Sequence, residues 1–218
     1  MMSQKDEQAD RERSPNDISL ELKQKVEKSV RLISQEIKAR LATRNSPLLV
    51  AIDGGSASGK STITILVAAE VGGVIIQGDD FCQTGLDWAN MSITDKIDLC
   101  IDWERARTEA IEPLLANRTA SWHPFNFKTG IGLADYLVVR NPMPVIIIDG
   151  IYSSNPKLSD ILALTVLVDA SASIRYHRHN EREGHDDTKW HAIWDEAELF
   201  YFTQIRPPAS FDIVIETS

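Results

Sequence analysis

Short apolar runs and helical patterns alternate along most of the chain. Five of the runs have the length of a strand and are bounded by Pro, Gly or polar residues; they cover residues 48–52, 73–77, 144–149, 162–169 and 211–216. A continuous apolar run is typical of a strand that is buried on both faces of a parallel sheet. Because strands that alternate with helices form βαβ units, we expect an α/β fold with a doubly wound parallel sheet and helices on both faces.

The N-terminal part of the chain divides into a polar tail and an amphipathic helix. Residues 1–16 are polar, which predicts a disordered tail. Apolar side chains then recur at steps of three or four and predict a helix over residues 17–45; they are Leu22, Val26, Val30, Ile33, Ile37 and Leu41. Asp17 or Ser19 would cap the first turn of this helix. We expect its apolar stripe to pack on the remaining domain, residues 46–218, and a role in partner binding or dimerisation is the alternative.

Composition and charge narrow the class of protein. The 218 residues carry a net charge of −9, and 43% of them are hydrophobic, which fits one globular domain with an appendage. The negative charge argues against general binding of nucleic acids or anionic membranes. No apolar run approaches the roughly 20 residues of a membrane span, and the N-terminus lacks the apolar stretch of a secretory signal. Two cysteines are too few for a disulfide framework, so we expect a cytoplasmic protein.

Residues 54–61 carry the strongest motif of the chain. Their sequence, GGSASGKS, matches G-x-x-x-x-G-K-[ST], follows a predicted strand and opens a predicted helix. Small residues let successive backbone N–H groups face one phosphate at the helix N-terminus; the predicted phosphate-binding residues are Gly54, Gly55, Ser56, Ala57, Ser58, Gly59, Lys60, Ser61 and Thr62. The Lys60 ammonium group can reach the terminal phosphates, and the Ser61 hydroxyl can bind Mg²⁺. The motif therefore predicts binding of a nucleoside triphosphate with Mg²⁺.

Two acidic residues follow predicted strands. Asp79 lies in the sequence Gly-Asp-Asp-Phe after the second strand, and Asp149 ends the apolar run before Gly150. Doubly wound folds bind their ligands at the carboxyl ends of the strands. A carboxylate there can accept the proton of an acceptor hydroxyl, which is the role that we predict for Asp79. Asp149 is the candidate for the water shell of Mg²⁺, although both residues could be ordinary turn residues.

Three arginines lie on a predicted helix between about residues 171 and 187. Arg175, Arg178 and Arg182 follow one another at steps of three and four and therefore share one face. Because cations on one face repel one another unless anions lie among them, we predict a lid that closes over the transferring phosphates and ends at Gly184. The alternative is a solvated helix whose arginines pair with neighbouring acids. The His and Cys residues do not show the spacing of a metal site.

Together these segments resemble the uridine kinase/phosphoribulokinase-like family of P-loop kinases. The resemblance covers residues 47–184 and rests on GGSASGKST, the Asp-x-Phe motif, the strand ending in acid-Gly-Ile and the arginine-rich segment. It implies the strand order 2-3-1-4-5 and transfer of the ATP γ-phosphate to a hydroxyl of a small acceptor, a nucleoside in the uridine kinases. By position, it implies that the catalytic residues are Asp79, Lys60, Arg175 and Arg178, that Arg182 contacts ATP, and that Ser61 and Asp149 serve Mg²⁺.

The segment that would bind the acceptor departs from the family's pattern. The Pro-Tyr-Asp-Phe of the uridine kinases corresponds to Pro-Phe-Asn-Phe at residues 124–127, and the His that helps to recognise the pyrimidine falls on Gly130. Phe125 and Phe127 could stack on a flat ring, or they could belong to the core. Asp98 or Asp102 would bind the ribose. Because a site that reads a base by hydrogen bonds discriminates strongly, these changes imply a relaxed or different substrate.

The sequence thus predicts an ATP-dependent small-molecule kinase with a nucleoside-like acceptor, and it leaves two alternatives open. The acceptor could be another hydroxylated metabolite, such as nicotinamide riboside, pantothenate or a sugar phosphate. In the second alternative, the chain is a switch or ATPase that binds a nucleoside triphosphate and acts on a protein partner through its N-terminal helix. That helix could also join two copies of the chain in a homo-oligomer.

Overall fold

A computed structural model describes residues 15–218 of the chain. Residues 1–14, which hold most of the predicted tail, lie outside the described residues. The strands are β1 Leu48–Asp53, β2 Val74–Gln77, β3 Ala120–Trp122, β4 Val138–Arg140, β5 Val145–Asp149, β6 Leu164–Asp169 and β7 Ile213–Glu216. The helices are α1 Pro15–Ala42, α2 Lys60–Val71, α3 Ile93–Leu99, α4 over residues 103–115, α5 Ala172–Glu183 and α6 Thr188–Phe200. α4 contains a π-helical turn, Ala106–Ile111, and a second π-helical turn, Tyr201–Ile205, continues α6.

Five strands form one parallel sheet in the order β2-β5-β1-β6-β7. Val50, at the centre of β1, is level with Ile147 of β5 on one side and with Leu164 of β6 on the other. Numbered among themselves in chain order, the five strands give the order 2-3-1-4-5, as the resemblance implies. β3 and β4 form a separate antiparallel pair. The predicted α/β fold with a parallel sheet is therefore confirmed.

Helices cover both faces of the parallel sheet and close two hydrophobic cores. On one face α4 and the end of α6 supply Trp103, Ala110 and Tyr201, which pack with β2 and β5 residues. On the other face α1 and α2 pack against β1 and β6. The layers leave the carboxyl ends of β1, β2 and β5 at one edge, where the loops that follow these strands meet.

Helix α1 is part of the second core. Ile33 and Ile37 are fully buried with the side chains of β1, and Val30 is nearly so. The predicted apolar stripe therefore packs on the domain from Val26 to Leu41, and this part of the helix face is not available to a partner, whereas Leu22 is exposed. Within the described residues the helix spans Pro15–Ala42, so Asp17 and Ser19 lie inside it and neither is its N-cap.

We expect replacement of Ile37 by Ala to lower the free energy of unfolding by about 2–5 kcal/mol, because it removes a fully buried side chain from this core. Leu32→Ala on the exposed side of the same helix is the matched control and should change that free energy by less than about 0.5 kcal/mol. Urea titration followed by circular dichroism measures both values. Equal effects of the two substitutions would show that α1 does not dock as described.

Among the residues that the structure describes, no helix combines the length and the apolar character needed to cross a bilayer.

Candidate active site

The glycine-rich loop joins the end of β1 to the start of α2. Gly54 has φ +154°, and a Cβ there would overlap the carbonyl oxygen of Val168, so the position needs glycine. Ala57 and Gly59 have φ values of +61° and +92°. The left-handed region is unfavourable for alanine, and such strain is concentrated at binding sites. The loop thus forms the tight turn before a helix N-terminus that a phosphate cradle requires.

A buried aspartate that the sequence reasoning missed fixes the start of this loop. Asp53 accepts hydrogen bonds from the Gly54 N–H (2.8 Å), the Ser154 N–H (2.9 Å) and the Tyr201 hydroxyl (3.1 Å). Burial raises the pKa of this carboxyl group, and these hydrogen bonds and the nearby Lys60 charge oppose the rise. The signal for Asp53 in the sequence was an acidic residue at the end of an apolar strand, directly before the glycine-rich loop.

Two of the cavities that border the loop share lining residues. The large cavity, of about 420 Å³, is lined by residues from the ends of β2 and β5 and from α5 and α6. The small cavity, of about 220 Å³, is lined by Ala57, Gly59, Lys60, Ser61, Thr62, Arg178 and Arg182. Lys60, Ser61 and Arg182 line both cavities. A ligand that extends from the small cavity across Lys60 therefore enters the large one.

Asp149 lines the large cavity at the end of β5. The residue is 2% exposed, and its carboxylate accepts a hydrogen bond from the Thr64 hydroxyl of α2 (3.1 Å). Burial raises the pKa of Asp149, while the Lys60 charge and hydrogen bonds from Ser61 and Thr64 oppose the rise. Asp149 and Ser61 are therefore neighbours, as the predicted Mg²⁺ role requires.

The described residues contain no group of three or more His, Cys, Asp or Glu side chains that could hold a metal ion. Mg²⁺ at nucleotide sites usually takes only one or two protein ligands and completes its shell with phosphate oxygens and water. The neighbouring Ser61 hydroxyl and Asp149 carboxylate fit that pattern.

The two aspartates of the Gly78–Phe81 turn have different surroundings. Asp79 is exposed and lines the large cavity together with Lys60. The Asp80 carboxylate accepts a hydrogen bond from the Trp122 indole N–H (2.8 Å). Burial raises the pKa of Asp80, and the bond from Trp122 opposes the rise. The geometry thus leaves Asp79 as the cavity-facing carboxylate of the pair and Asp80 as a residue that anchors the turn.

The three arginines of α5 have different environments. Arg178 donates to the Thr217 carbonyl oxygen (2.9 Å), and the Thr217 hydroxyl donates to the Ser58 carbonyl oxygen of the loop (2.6 Å). Arg182 reaches both cavities, whereas Arg175 is not among the lining residues of either. Gly184, with φ +75°, ends the helix as predicted. The helix thus lies over the loop, and its role as a lid stays a prediction.

Of the predicted acceptor-binding residues, the structure brings only some to the large cavity. Phe127 lines it and packs edge-on against Phe125, with ring centroids 4.7 Å apart. Phe125, Asp98 and Asp102 are not among the lining residues. Asp102 caps α4 by accepting the Arg105 N–H (3.0 Å), and exposed Asp98 lies 4.0 Å from the Lys157 ammonium group. Asp102 therefore serves as a helix cap, and Asp98 lies on the surface outside the cavity.

Sequence reasoning missed several further lining residues, among them Tyr152 and Glu198. Glu198 lies one helical turn after Trp194 on the apolar face of α6. A charged residue on that face was the feature of the sequence that could have indicated a site. Trp190 and Trp194 of the same helix also line the cavity, although their pattern predicts an ordinary packed face. The cavity thus has aromatic walls and a buried carboxylate.

The chain is similar in sequence to proteins that are named kinases. No family model matches the chain. A uridine kinase of Halobacterium salinarum is 27% identical over 143 residues, which are 62% of this chain and 61% of that protein. The uridine kinase of Alkaliphilus metalliredigens is 26% identical over 64% of this chain and 69% of its own length.

Solved structures show the same fold. A protein described as a possible uridine kinase from Bacillus stearothermophilus superposes with a TM-score of 0.67 at 16% identity, covering 87% of this chain and 98% of that one. A protein described as a fructose transport system kinase from Silicibacter gives a TM-score of 0.59 at 18% identity, over 85% of this chain and 98% of its own. The resemblance to uridine kinases is therefore confirmed, and the chain shares the fold of these solved structures. It spans about three fifths of the length of the Halobacterium salinarum relative.

Proposed function

We propose that this protein is an ATP-dependent small-molecule kinase that transfers the γ-phosphate to a hydroxyl of a nucleoside-like acceptor. The observation that carries the proposal is the large cavity, in which Asp79 shares the lining with Lys60 and Ser61 of the phosphate loop. A general base and a phosphate cradle in one cavity are the two elements that phosphoryl transfer to an alcohol needs.

The small cavity is the proposed ATP side. Its lining combines loop residues at the start of α2 with the guanidinium groups of Arg178 and Arg182. Backbone N–H groups, a helix N-terminus and two cations are complementary to a polyphosphate. Because Lys60 and Ser61 line both cavities, a nucleotide bound here presents its terminal phosphate to the large cavity. Arg182 also lines both and would neutralise charge that develops during transfer.

Ser61 and Asp149 would hold Mg²⁺ at this junction. The ion neutralises phosphate charge and orients the phosphate oxygens when it is bound. Asp149 is already held by the Thr64 hydroxyl, so its carboxylate is oriented by the fold.

Asp79 is the proposed base. The acceptor hydroxyl oxygen attacks the γ-phosphorus, the bond from that phosphorus to the bridging oxygen of ADP breaks, and Asp79 accepts the hydroxyl proton. Lys60 remains on the phosphates throughout, and its charge stabilises the ADP that leaves. The aromatic side chains of Phe127, Trp190 and Trp194 would enclose a flat acceptor ring.

An acceptor panel tests this function. We expect ADP formation from Mg²⁺-ATP to be stimulated by at least one nucleoside among uridine, cytidine and nicotinamide riboside, with pantothenate and ribulose 5-phosphate as the other acceptors. A coupled ADP assay gives the rates, and mass spectrometry identifies the phosphorylated product. The same panel with the Asp79→Asn variant controls for a contaminating kinase. Steady ATP hydrolysis that none of the acceptors stimulates would instead favour the switch or ATPase alternative.

A further inference from the structure

Tyr152 is a buried polar side chain with no role in the proposed phosphate transfer. It is fully buried, lines the large cavity and packs edge-on against Tyr201, with ring centroids 4.6 Å apart. Its hydroxyl has no hydrogen-bond partner among the described residues, and its backbone has φ +63°. A buried polar group without a partner is costly, and a strained backbone of a non-glycine residue is typical of ligand sites. Both costs are explained if a ligand pairs with this hydroxyl.

Glu198 is the second such side chain. It is 1% exposed, and both of its oxygens accept the Ser56 N–H, at 3.2 and 3.3 Å. The Arg175 guanidinium donates to the same carboxylate and to the Ser56 carbonyl oxygen (3.3 Å). A Cβ on Gly55 would lie 2.5 Å from this guanidinium, so the second glycine of the loop makes room for the ion pair. Arg175 thus holds a negative charge at the wall of the large cavity.

A carboxylate oxygen has room for more than one hydrogen bond, and the Oε1 atom of Glu198 is used only by the shared Ser56 N–H among the described residues. A phenol can donate and accept, and an ionised carboxylate can only accept. Hydroxyl groups of a polyol match both requirements. Since Glu198 lines the large cavity and not the small one, these ligand hydroxyls belong to the acceptor and not to ATP.

We propose that Tyr152 and Glu198 bind those hydroxyl groups of the acceptor that do not receive the phosphate. Arg175 is a positioning residue, because its ion pair holds the Glu198 carboxylate in place. This inference rests on the proposed function and specifies the acceptor as a polyol without a phosphate of its own. The lining contains the carboxylates of Asp79, Asp149, Glu183, Asp187 and Glu198. The lining supplies only two cations, Lys60 and Arg182, and the nucleotide phosphates would use both. Even with Glu198 paired to Arg175, carboxylates remain in excess, so a second phosphate would meet net negative charge.

Calorimetry of uridine and of ribulose 5-phosphate, each with Mg²⁺ and a non-hydrolysable ATP analogue, tests the proposal. We expect the wild-type chain to bind uridine, and to bind ribulose 5-phosphate at least about tenfold more weakly. Tyr152→Phe should weaken uridine binding at least about tenfold without lowering the melting temperature, because it removes a hydroxyl that lacks a partner among the described residues. Tyr136→Phe is the matched control: Tyr136 is exposed and lines neither cavity, so the change should alter neither the melting temperature nor uridine binding.

Glu198→Gln should also weaken uridine binding at least about tenfold, whereas Glu196→Gln at an exposed position of α6 should not change it. If Glu198→Gln fails to fold, 2′,3′-dideoxyuridine replaces it as the test on the wild-type chain and should bind at least about tenfold more weakly than uridine.

The proposal is overturned if the wild-type chain binds neither compound or prefers the sugar phosphate, or if the Tyr152 and Glu198 variants bind uridine as the wild type does. Uridine binding without phosphate transfer would contradict the proposed function alone, and transfer with unchanged affinities would contradict this inference alone.

Discussion

Asp79→Asn should lower kcat at least about 100-fold while the affinity for a non-hydrolysable ATP analogue stays within a few-fold of wild type. Asparagine keeps the shape and the polarity of the side chain, but it cannot accept the acceptor's proton. Asp79 lies at the end of β2 on the acceptor side and does not line the small cavity, so nucleotide binding should not depend on its charge. Single-turnover kinetics with the best acceptor of the panel measure the chemical step directly.

Asp80→Asn is the matched control for this experiment. The side chain of Asp80 accepts the Trp122 indole N–H at 2.8 Å, and an amide oxygen can accept the same bond. We therefore expect kcat to remain within a few-fold of wild type. Equal losses for Asp79→Asn and Asp80→Asn would contradict the assignment of Asp79, because they would indicate a damaged turn rather than a missing base. Unchanged turnover for Asp79→Asn would refute the assignment outright.

The sheet could be predicted because its strands are buried on both faces. Leu49, Val50 and Ala51 of β1 are each 0–1% exposed, so these positions had to be apolar and the run was visible without periodicity. The phosphate loop was equally visible. Glycine is required where the backbone leaves no room for a side chain, as at Gly54, which lies close to the Val168 carbonyl. Few other residue types could occupy such a position. Burial of a strand on both faces and close backbone approaches each restrict the residue type at a position, so they can be predicted from the sequence.

The acceptor site could not be predicted in the same way because its parts come from distant segments. Tyr152 follows β5 and Glu198 lies in α6, and only the packing of that helix brings them to one cavity. Asp98 and Asp102 were candidates because the resemblance implies an acid that binds the ribose, without placing it. Asp102 illustrates the difficulty, because an aspartate at a helix N-cap has the same local sequence whether or not it also meets a ligand.

The segment that carries Phe127 shows a similar limit. The Phe125 N–H donates to the Asp80 carbonyl oxygen at 2.7 Å, and Arg105 donates to the same oxygen. These bonds tie the acceptor segment to the turn of the proposed base, although the two segments are far apart in the sequence. The hydrogen-bond acceptor in both contacts is a backbone carbonyl oxygen, which every residue type has. The residue types at positions 80 and 125 therefore do not predict these contacts.

Lys60→Ala should weaken binding of the ATP analogue at least about tenfold and lower kcat/KM for ATP at least about 100-fold, so that binding and turnover fall together. Lys60 stands where the two cavities meet, and its charge opposes the burial-driven rise in the pKa of Asp53 and Asp149. Its ammonium group lies 3.5 Å from the Gly55 carbonyl oxygen. The change therefore removes the main cation of the phosphate site and leaves two buried carboxyl groups without it.

Lys157→Ala is the control, because Lys157 is half-exposed beside Asp98 and lines neither cavity. It removes the same charge from the chain and should leave both quantities unchanged, which separates the local effect of Lys60 from a change in net charge. Calorimetry gives the affinity, and initial rates give kcat/KM. If Lys60→Ala bound the analogue as tightly as the wild type, the loop would not be the phosphate site. A loss of turnover alone would assign Lys60 to the transition state and leave the loop amides to hold the ground-state phosphates.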